Sequence, residues 1–290
     1  MSCQLCPRLC NIDRSVTSGV CGAKGDKIVV SKSMLHMWEE PCISGGNGSG
    51  AIFFSGCSLR CVYCQNRDIS HQMLGKEYTP GELGDEMLRL QAMGADNINL
   101  VTPTHYSDKI REAINLVRDR LRIPVIYNTS GYELRSEILK MRGYVDVFLI
   151  DIKYFSPEYS FKYSGVKDYY SVARDALCAM LELCPQVELD EKGLIKKGVI
   201  LRHLVLPSLR KDSINILRDI KSALDVSKFK LSLMAQYTPE FCPEQYKEIK
   251  RRLTTFEYES VVNEAIALGY DGYTQELGSS TKDYTPKFTE

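Results

Sequence analysis

Apolar residues return along this chain in two rhythms. Short, nearly continuous runs at 51–56, 97–102, 124–129, 145–151, 199–206 and 230–236 have the length and β-branched content of strands. Between them, the stretches 81–93, 108–120, 134–141, 171–183 and 212–223 carry apolar positions at three- and four-residue spacing, which predicts amphipathic helices. Pro80, followed by Glu82, Asp85 and Glu86, suits a helix start. The run 145–150 is almost wholly apolar, as expected of a strand covered on both faces. Strands alternating with helices predict parallel βα units. Six such units are too few for a closed eight-fold barrel, and the count fits an α/β fold of the partial (βα)6 TIM-type, open on one side for a substrate. Beyond Pro239 the pattern continues with a helix near 258–268 and a short strand at 272–275.

This reading divides the chain into a Cys-rich, irregular N-terminal metal-binding extension (1–50), a barrel (51–240) and a C-terminal helical extension packing on it (241–290). The glycines at 45, 46, 48 and 50 precede a strand and lack the lysine of a phosphate-binding loop, so they read as a connector. Lys plus Arg and Asp plus Glu both number 37 in 290 residues, and no long like-charge run appears. Neither nucleic acid nor an anionic membrane is expected as a partner. With no apolar signal segment and no 18-residue apolar stretch, a cytoplasmic location is expected, where disulfides are disfavoured. There, eleven cysteines with eight of them before residue 65 read as metal ligands. Cys178, Cys184 and Cys242 lie scattered and read as small buried hydrophobes or incidental thiols.

Cys57, Cys61 and Cys64 follow the first barrel strand directly, in the order strand, turn at Gly56, ligand loop. Three close thiolates suit a [4Fe–4S] cluster and leave one iron open to a non-protein ligand. A structural zinc site would show a second Cys or His pair, which is missing here. The other strands finish in polar groups: Thr102 and Thr104; Asn128 and Thr129; Asp151 and Lys153; Arg202 and His203; Gln236. In an α/β barrel those ends converge on one mouth. Four more cysteines, Cys3, Cys6, Cys10 and Cys21, lie within about twenty residues and suit zinc, a single iron or a second cluster, with Cys42 as a spare ligand.

The segment 50–66, with Gly56, Cys57, Cys61, Tyr63 and Cys64, resembles the cluster loop of the radical S-adenosylmethionine superfamily. Within it the chain looks most like the pyruvate formate-lyase activating enzymes, and more closely their relatives with an extra N-terminal cysteine cluster. The resemblance runs from Cys3 to about Gln275. It implies a [4Fe–4S] cluster on Cys57, Cys61 and Cys64, and S-adenosyl-L-methionine as cofactor. It also implies that Asn128, Thr129, Asp151, Lys153, Arg202 and Gln236 contact that cofactor, with Tyr63 beside the adenine. Thr102 and Thr104 stand where activating enzymes carry a Gly-Gly-Glu that holds the methionine amino group, so that contact must be made differently here. Asn128 replaces a carboxylate that helps frame a monovalent cation in relatives, which puts such a cation in doubt.

The activity so implied is reductive cleavage of the cofactor to a 5′-deoxyadenosyl radical that abstracts hydrogen. The electron would come from a reductant such as flavodoxin or ferredoxin, and the hydrogen donor could be a glycine of a partner glycyl-radical enzyme. A radical enzyme acting on a small molecule or peptide is an alternative. So is a non-catalytic iron–sulfur electron carrier, although over two hundred residues of barrel with polar strand ends exceed what a carrier needs.

Overall fold

The computed structural model describes residues 2–276. In chain order the elements are β1 (Ile28–His36), β2 (Ser49–Phe54), α1 (Arg67–His71), β3 (Lys76–Tyr78), α2 (Pro80–Ala92), β4 (Ile98–Val101), α3 (Ser107–Val117), β5 (Val125–Thr129), α4 (Arg135–Leu139) and β6 (Val147–Asp151). They continue with α5 (Pro157–Ser164), α6 (Tyr169–Leu183), β7 (Glu188–Leu189), β8 (Ile195–Leu204), α7 (Arg210–Ala223), β9 (Lys230–Met234), α8 (Thr255–Ala267) and β10 (Gly272–Thr274). Among the described residues no helix is long and apolar enough to cross a membrane.

Strands β2, β4, β5, β6, β8 and β9 pair parallel in that order, with helices between successive strands. This is the expected partial (βα)6 barrel. β10 extends it in parallel beside β9, and α8 packs on α7. Local chemistry fixes two of the helix starts: Thr79 and Glu82 form a reciprocal capping box ahead of Pro80 in α2, and Thr254 and Glu257 form another ahead of α8. The remainder of the C-terminal extension, 277–290, lies outside the described residues.

The head differs from its irregular reading in one respect: it contributes a nine-residue strand. β1 pairs antiparallel with β2, and β3 with β1. Only three of the nine β1 positions are buried, and the strand is flanked on its outer side by the three-residue β3 alone, so it leaves little hydrophobic signal. The five-residue α1 and three-residue β3 are too short for any periodicity to register.

Because side chains alternate along a strand, each barrel strand has an outer and an inner series. Phe148 and Ile150 of β6 join the large core shared with the helices, while Val147 and Leu149 point the other way. There they meet Ile126, Ile195 and Ile200, and the layer is closed by Cys42 and Ile43 of the 37–48 segment. Backbone bonds fix this floor: Ile195 N–H donates to Cys42 O at 2.8 Å, and Asn97 Nδ2 to Ile43 O at 2.8 Å. Cys42 is therefore part of the barrel floor and not a spare ligand for the head cysteines.

Glu133, just after β5, is a carboxyl almost without solvent (1% exposed). It accepts hydrogen bonds from Thr104 Oγ1 at 2.6 Å and from Thr129 Oγ1. Burial pushes it from the ordinary 4.5 up to about 7, and the two hydroxyl donors offset this only in part. A carboxyl raised in this way binds its proton more tightly folded than unfolded. Its stabilising effect is thus present below about pH 4.5 and lost as pH rises through about 7. Glu133→Gln keeps an acceptor without a charge. Its stability relative to the parent should climb between those two pH values and level off above them, as read by urea unfolding at a series of pH values. A difference that stays flat across the window would mean that Glu133 is ionised throughout it.

Candidate active site

At the end of β2 the chain turns at Gly56, whose φ of +89° lies in the left-handed region. A Cβ there would stand 2.4 Å from Cys21 O, so only glycine allows the head backbone this close. That approach is used: Cys57 N–H donates to Cys21 O at 3.2 Å. The loop is pinned on its far side by Val62 N–H to Tyr163 O at 2.9 Å. Cys57, Cys61 and Cys64 consequently line one cavity of about 240 Å³ at the C-terminal end of the barrel. Burial, with the neighbouring Cys61, pushes the Cys57 thiol up to about 12, and burial also raises Cys64. Forming thiolates at Cys57 and Cys64 therefore calls for a compensating positive charge, which a bound metal would supply. Two hydroxyls already point at the sulfurs: Ser164 Oγ donates to Cys61 Sγ at 3.0 Å, and Ser70 Oγ to Cys64 Sγ at 3.4 Å.

The inner series that forms the apolar layer continues upward into charge. Asn128 follows Ile126, Asp151 follows Leu149, and Arg202 follows Ile200. Arg202 Nε donates to Asp151 Oδ1 at 2.8 Å, its Nη2 to Asn128 Oδ1 at 2.7 Å, and its Nη1 to Glu39 Oε2 at 3.2 Å. Lys153 Nζ donates to Asp151 Oδ2 at 2.7 Å. Burial alone would raise Asp151, but the Arg202 guanidinium and Lys153 ammonium outweigh it and hold the carboxyl below its usual range. Glu39 goes the other way: burial raises it, and Arg202 with the Asn99 amide offsets this only in part.

Most of the sequence-predicted residues meet in this one cavity: Tyr63, Thr102, Asn128, Thr129, Asp151, Lys153, Arg202 and Gln236 all line it with the three cysteines. Thr102 has a φ of +62°, a conformation that favours glycine, at the position where the resembling enzymes carry a glycine pair. Tyr63 accepts from Tyr154 OH at 2.7 Å within a nest of Tyr154, Tyr163 and Tyr237 rings. Gln65 ties the cysteine loop to the last barrel strand, donating to Gln236 O at 2.7 Å. Thr104 stands apart: its hydroxyl is used by Glu133, and it does not line the cavity. His105 and His203 contact the backbone carbonyls of Ser55 (2.8 Å) and Ile152 (2.6 Å) through a ring nitrogen, a structural role.

Sequence reasoning missed Glu39, Ser70 and Ser164. Glu39 reaches the interior from the floor segment, far from any strand end, and the adjacent pair Glu39 and Glu40 in an apolar context was its only signal. Ser164 closes α5, and nothing in the sequence relates it to Cys61.

The head cysteines are also drawn together. Cys3, Cys6, Cys10 and Cys21 line a single small cavity with Arg8, Arg14 and His105. A Cβ on Gly19 would lie 3.3 Å from Cys10 Sγ and 3.7 Å from Cys21 Sγ. Among the described residues, no three or more His, Cys, Asp or Glu side chains are closed to the spacing of a single-ion shell.

Residues 51–187 match the profile of the Radical SAM superfamily. Over 272 residues the chain is 30% identical to an uncharacterized protein of Methanocaldococcus jannaschii, covering 90% of this chain and 73% of that one. It is 26% identical over 208 residues to the pyruvate formate-lyase-activating enzyme of Clostridium pasteurianum, covering 68% of this chain and 80% of the relative. Among solved structures, Streptococcus suis SuiB bound to S-adenosylmethionine shares the fold at a TM-score of 0.51 and 12% identity, over 76% of this chain and 48% of SuiB. The chain thus spans about half of SuiB's length. A similar likeness, TM-score 0.50 at 14% identity over 76% of this chain and 60% of the other, links it to anSMEcpe with bound AdoMet and a Kp18Cys peptide. A parallel barrel with a three-cysteine loop on its first strand, matched by profile and by relatives that cover most of the chain, places it in the radical SAM superfamily, as a protein similar to the pyruvate formate-lyase activating enzymes.

Proposed function

We propose that this chain uses a [4Fe–4S] cluster on Cys57, Cys61 and Cys64 to cleave S-adenosylmethionine reductively, and that the resulting radical takes hydrogen from a glycine of a partner enzyme. The observation that carries this reading is that the three thiols open onto the same cavity as the Asp151, Lys153, Arg202 and Asn128 network. The donor set fits both groups. Three thiols suit three irons of a cube. A wall with two cations, a carboxylate and several hydroxyl or amide groups suits a zwitterionic, sulfonium-bearing nucleoside.

When bound, the cluster supplies the electron that splits the cofactor into methionine and a 5′-deoxyadenosyl radical. The chain supplies position and dryness. Lys153 and Arg202 present cationic donors for a carboxylate or ribose oxygen, and Asp151 holds both in place. Thr102, Thr129 and Gln236 complete the mouth. Tyr63 and its ring neighbours exclude water from the cysteine side, which protects a radical from quenching. A one-electron donor of the flavodoxin or ferredoxin class is the reductant in this reading. The glycine substrate is supported by relatives named as pyruvate formate-lyase-activating enzymes. We also assign Cys3, Cys6, Cys10 and Cys21 to a second metal site.

Anaerobically reconstituted protein should be brown and oxygen-labile, and addition of S-adenosylmethionine should perturb the EPR spectrum of the reduced cluster. Cys57→Ala, Cys61→Ala and Cys64→Ala should each abolish that perturbed signal. Its survival in all three variants would refute the ligand assignment.

Asp151→Ala leaves two buried cations without their shared carboxylate. Losing a hydrogen bond to a charged group costs about 1.5–3 kcal/mol, so cofactor affinity should fall roughly ten- to a hundredfold. Unchanged 5′-deoxyadenosine formation in a folded Asp151→Ala protein would reduce the Asp151–Lys153 contact to a structural ion pair.

A further inference from the structure

The cavity ringed by the four head cysteines has a volume of about 10 Å³, roughly that of one water-sized sphere. A single ion fits such a space, whereas a cube of four irons and four sulfides does not. The surrounding backbone is wound tightly to make it. Leu9 and Asn11 adopt φ of 41° and 51°, Cys3 N–H donates to Ile12 O at 2.8 Å, and Asn11 N–H returns to Cys3 O at 3.1 Å. The loop 3–12 thereby closes on itself and brings Cys3, Cys6 and Cys10 to one side.

Arg14 supplies an independent observation. It lines the same cavity, and its Nη1 donates to His105 O at 2.8 Å. Its Nε and Nη2 are buried with no hydrogen-bond partner, the guanidinium otherwise lying over the Tyr106 ring at 5.7 Å. Arg8, by contrast, spends its guanidinium on the carbonyls of Ser58, Ser164 and Gly165. Buried guanidinium donors left unpaired are costly, and four neutral thiols are weak acceptors for them. Four thiolates around a divalent ion carry a formal charge of −2, which Arg8 and Arg14 together balance.

We propose that the head holds one thiophilic divalent ion, zinc or ferrous iron, in a shell of Cys3, Cys6, Cys10 and Cys21, with Arg14 as its counter-cation. The proposal rests on the second-metal reading of the head and specifies what that site takes. Because no three of the four sulfurs stand at ion-shell spacing among the described residues, ligation requires their rotation about the Cα–Cβ bonds from the cavity rim. Through Cys21 O, which accepts from Cys57 N–H, the same shell braces the turn that carries the first barrel thiolate.

The test uses full-length protein lacking Cys57, Cys61 and Cys64, so that any metal counted belongs to the head. After anaerobic reconstitution with iron, sulfide and zinc supplied, it should hold about one metal per chain and no acid-labile sulfide. Adding Cys6→Ser should remove that metal. Several irons with matching sulfide would overturn the single-ion shell, and no metal at all would overturn the site. On the same background, Arg14→Gln should weaken retention against a chelator by about tenfold, as expected for loss of a charged donor, while Arg14→Lys retains most of it. Equal retention in all three proteins, or equal loss in both Arg14 variants, would overturn the counter-cation role. None of these outcomes bears on cofactor cleavage, which the EPR response of the intact protein reads separately.

Discussion

A guanidinium cannot be left alone inside an apolar barrel, and the placement of Arg202 organises much of this fold. The residue sits on the inner series of β8, directly above Ile200 and the dry layer of Ile126, Val147 and Leu149. Its three donor positions are met by Asp151 of β6, Asn128 of β5 and Glu39 of the floor segment. With Lys153 on Asp151, two cations face three acidic groups, Asp151, Glu39 and the neighbouring buried Glu40. Each partner comes from a different part of the chain, so the charges are compensated only once the sheet has closed and the floor is in place. Removing one partner leaves an uncompensated buried charge, which is why buried ion networks break expensively even where they add little net stability. The same arrangement is suited to a polar ligand: it offers a preformed ring of donors and acceptors that need not be gathered when the ligand arrives.

The barrel itself was legible because its strands are covered on both faces and its helices on one. Continuous apolar runs and three- to four-residue spacing are strong signals, and the six parallel strands fall within a few residues of where those runs stand. The polar residues that terminate the runs were equally plain, since Asp151 or Asn128 closing an apolar strand has few places to go but the mouth. What the sequence hid is whatever reaches the site sideways. β1 buries three of its nine positions, and Glu39 enters from beneath. Ser164 is brought to Cys61 by a helix whose aromatic residues pack against other aromatics. Thr104 shows the opposite limit. Its strand-end position is correct, but one residue pair beyond Thr102 the chain has already turned away, and its hydroxyl serves Glu133 instead.

The surroundings of the three thiols are graded. On one side lie the rings of Tyr63, Tyr154 and Tyr163, on another the polar cavity, and between them two serine hydroxyls aimed at sulfur. Hydrogen bonds to ligand sulfur and exclusion of water act in opposite directions on an iron–sulfur cluster. Donors stabilise the more negative reduced state, while a dry, low-dielectric wall disfavours it. Tyr154 OH contacts both Ser164 Oγ at 2.9 Å and Tyr63 OH at 2.7 Å, so the sulfur donor and the aromatic wall meet at one hydroxyl. A change to any of the three would therefore alter donor strength and water access together.

The 37–48 segment and the cysteine head fasten opposite ends of the same barrel, and they do so by different means. The floor is held by burial, with Cys42 and Ile43 packed beneath the inner layer. The head has few apolar residues to bury, and among its described contacts with the barrel the backbone bond from Cys57 N–H to Cys21 O depends on the absence of a side chain at Gly56. A segment of this composition cannot offset its ordering entropy by hydrophobic contact. Ligation can supply that order at one point, as it does in small metal-bound domains. An ordered head then acts on the cysteine loop at two points: the Cys21 carbonyl fixes the Cys57 amide, and Arg8 holds the carbonyls of Ser58 and of Ser164, the residue whose hydroxyl donates to Cys61.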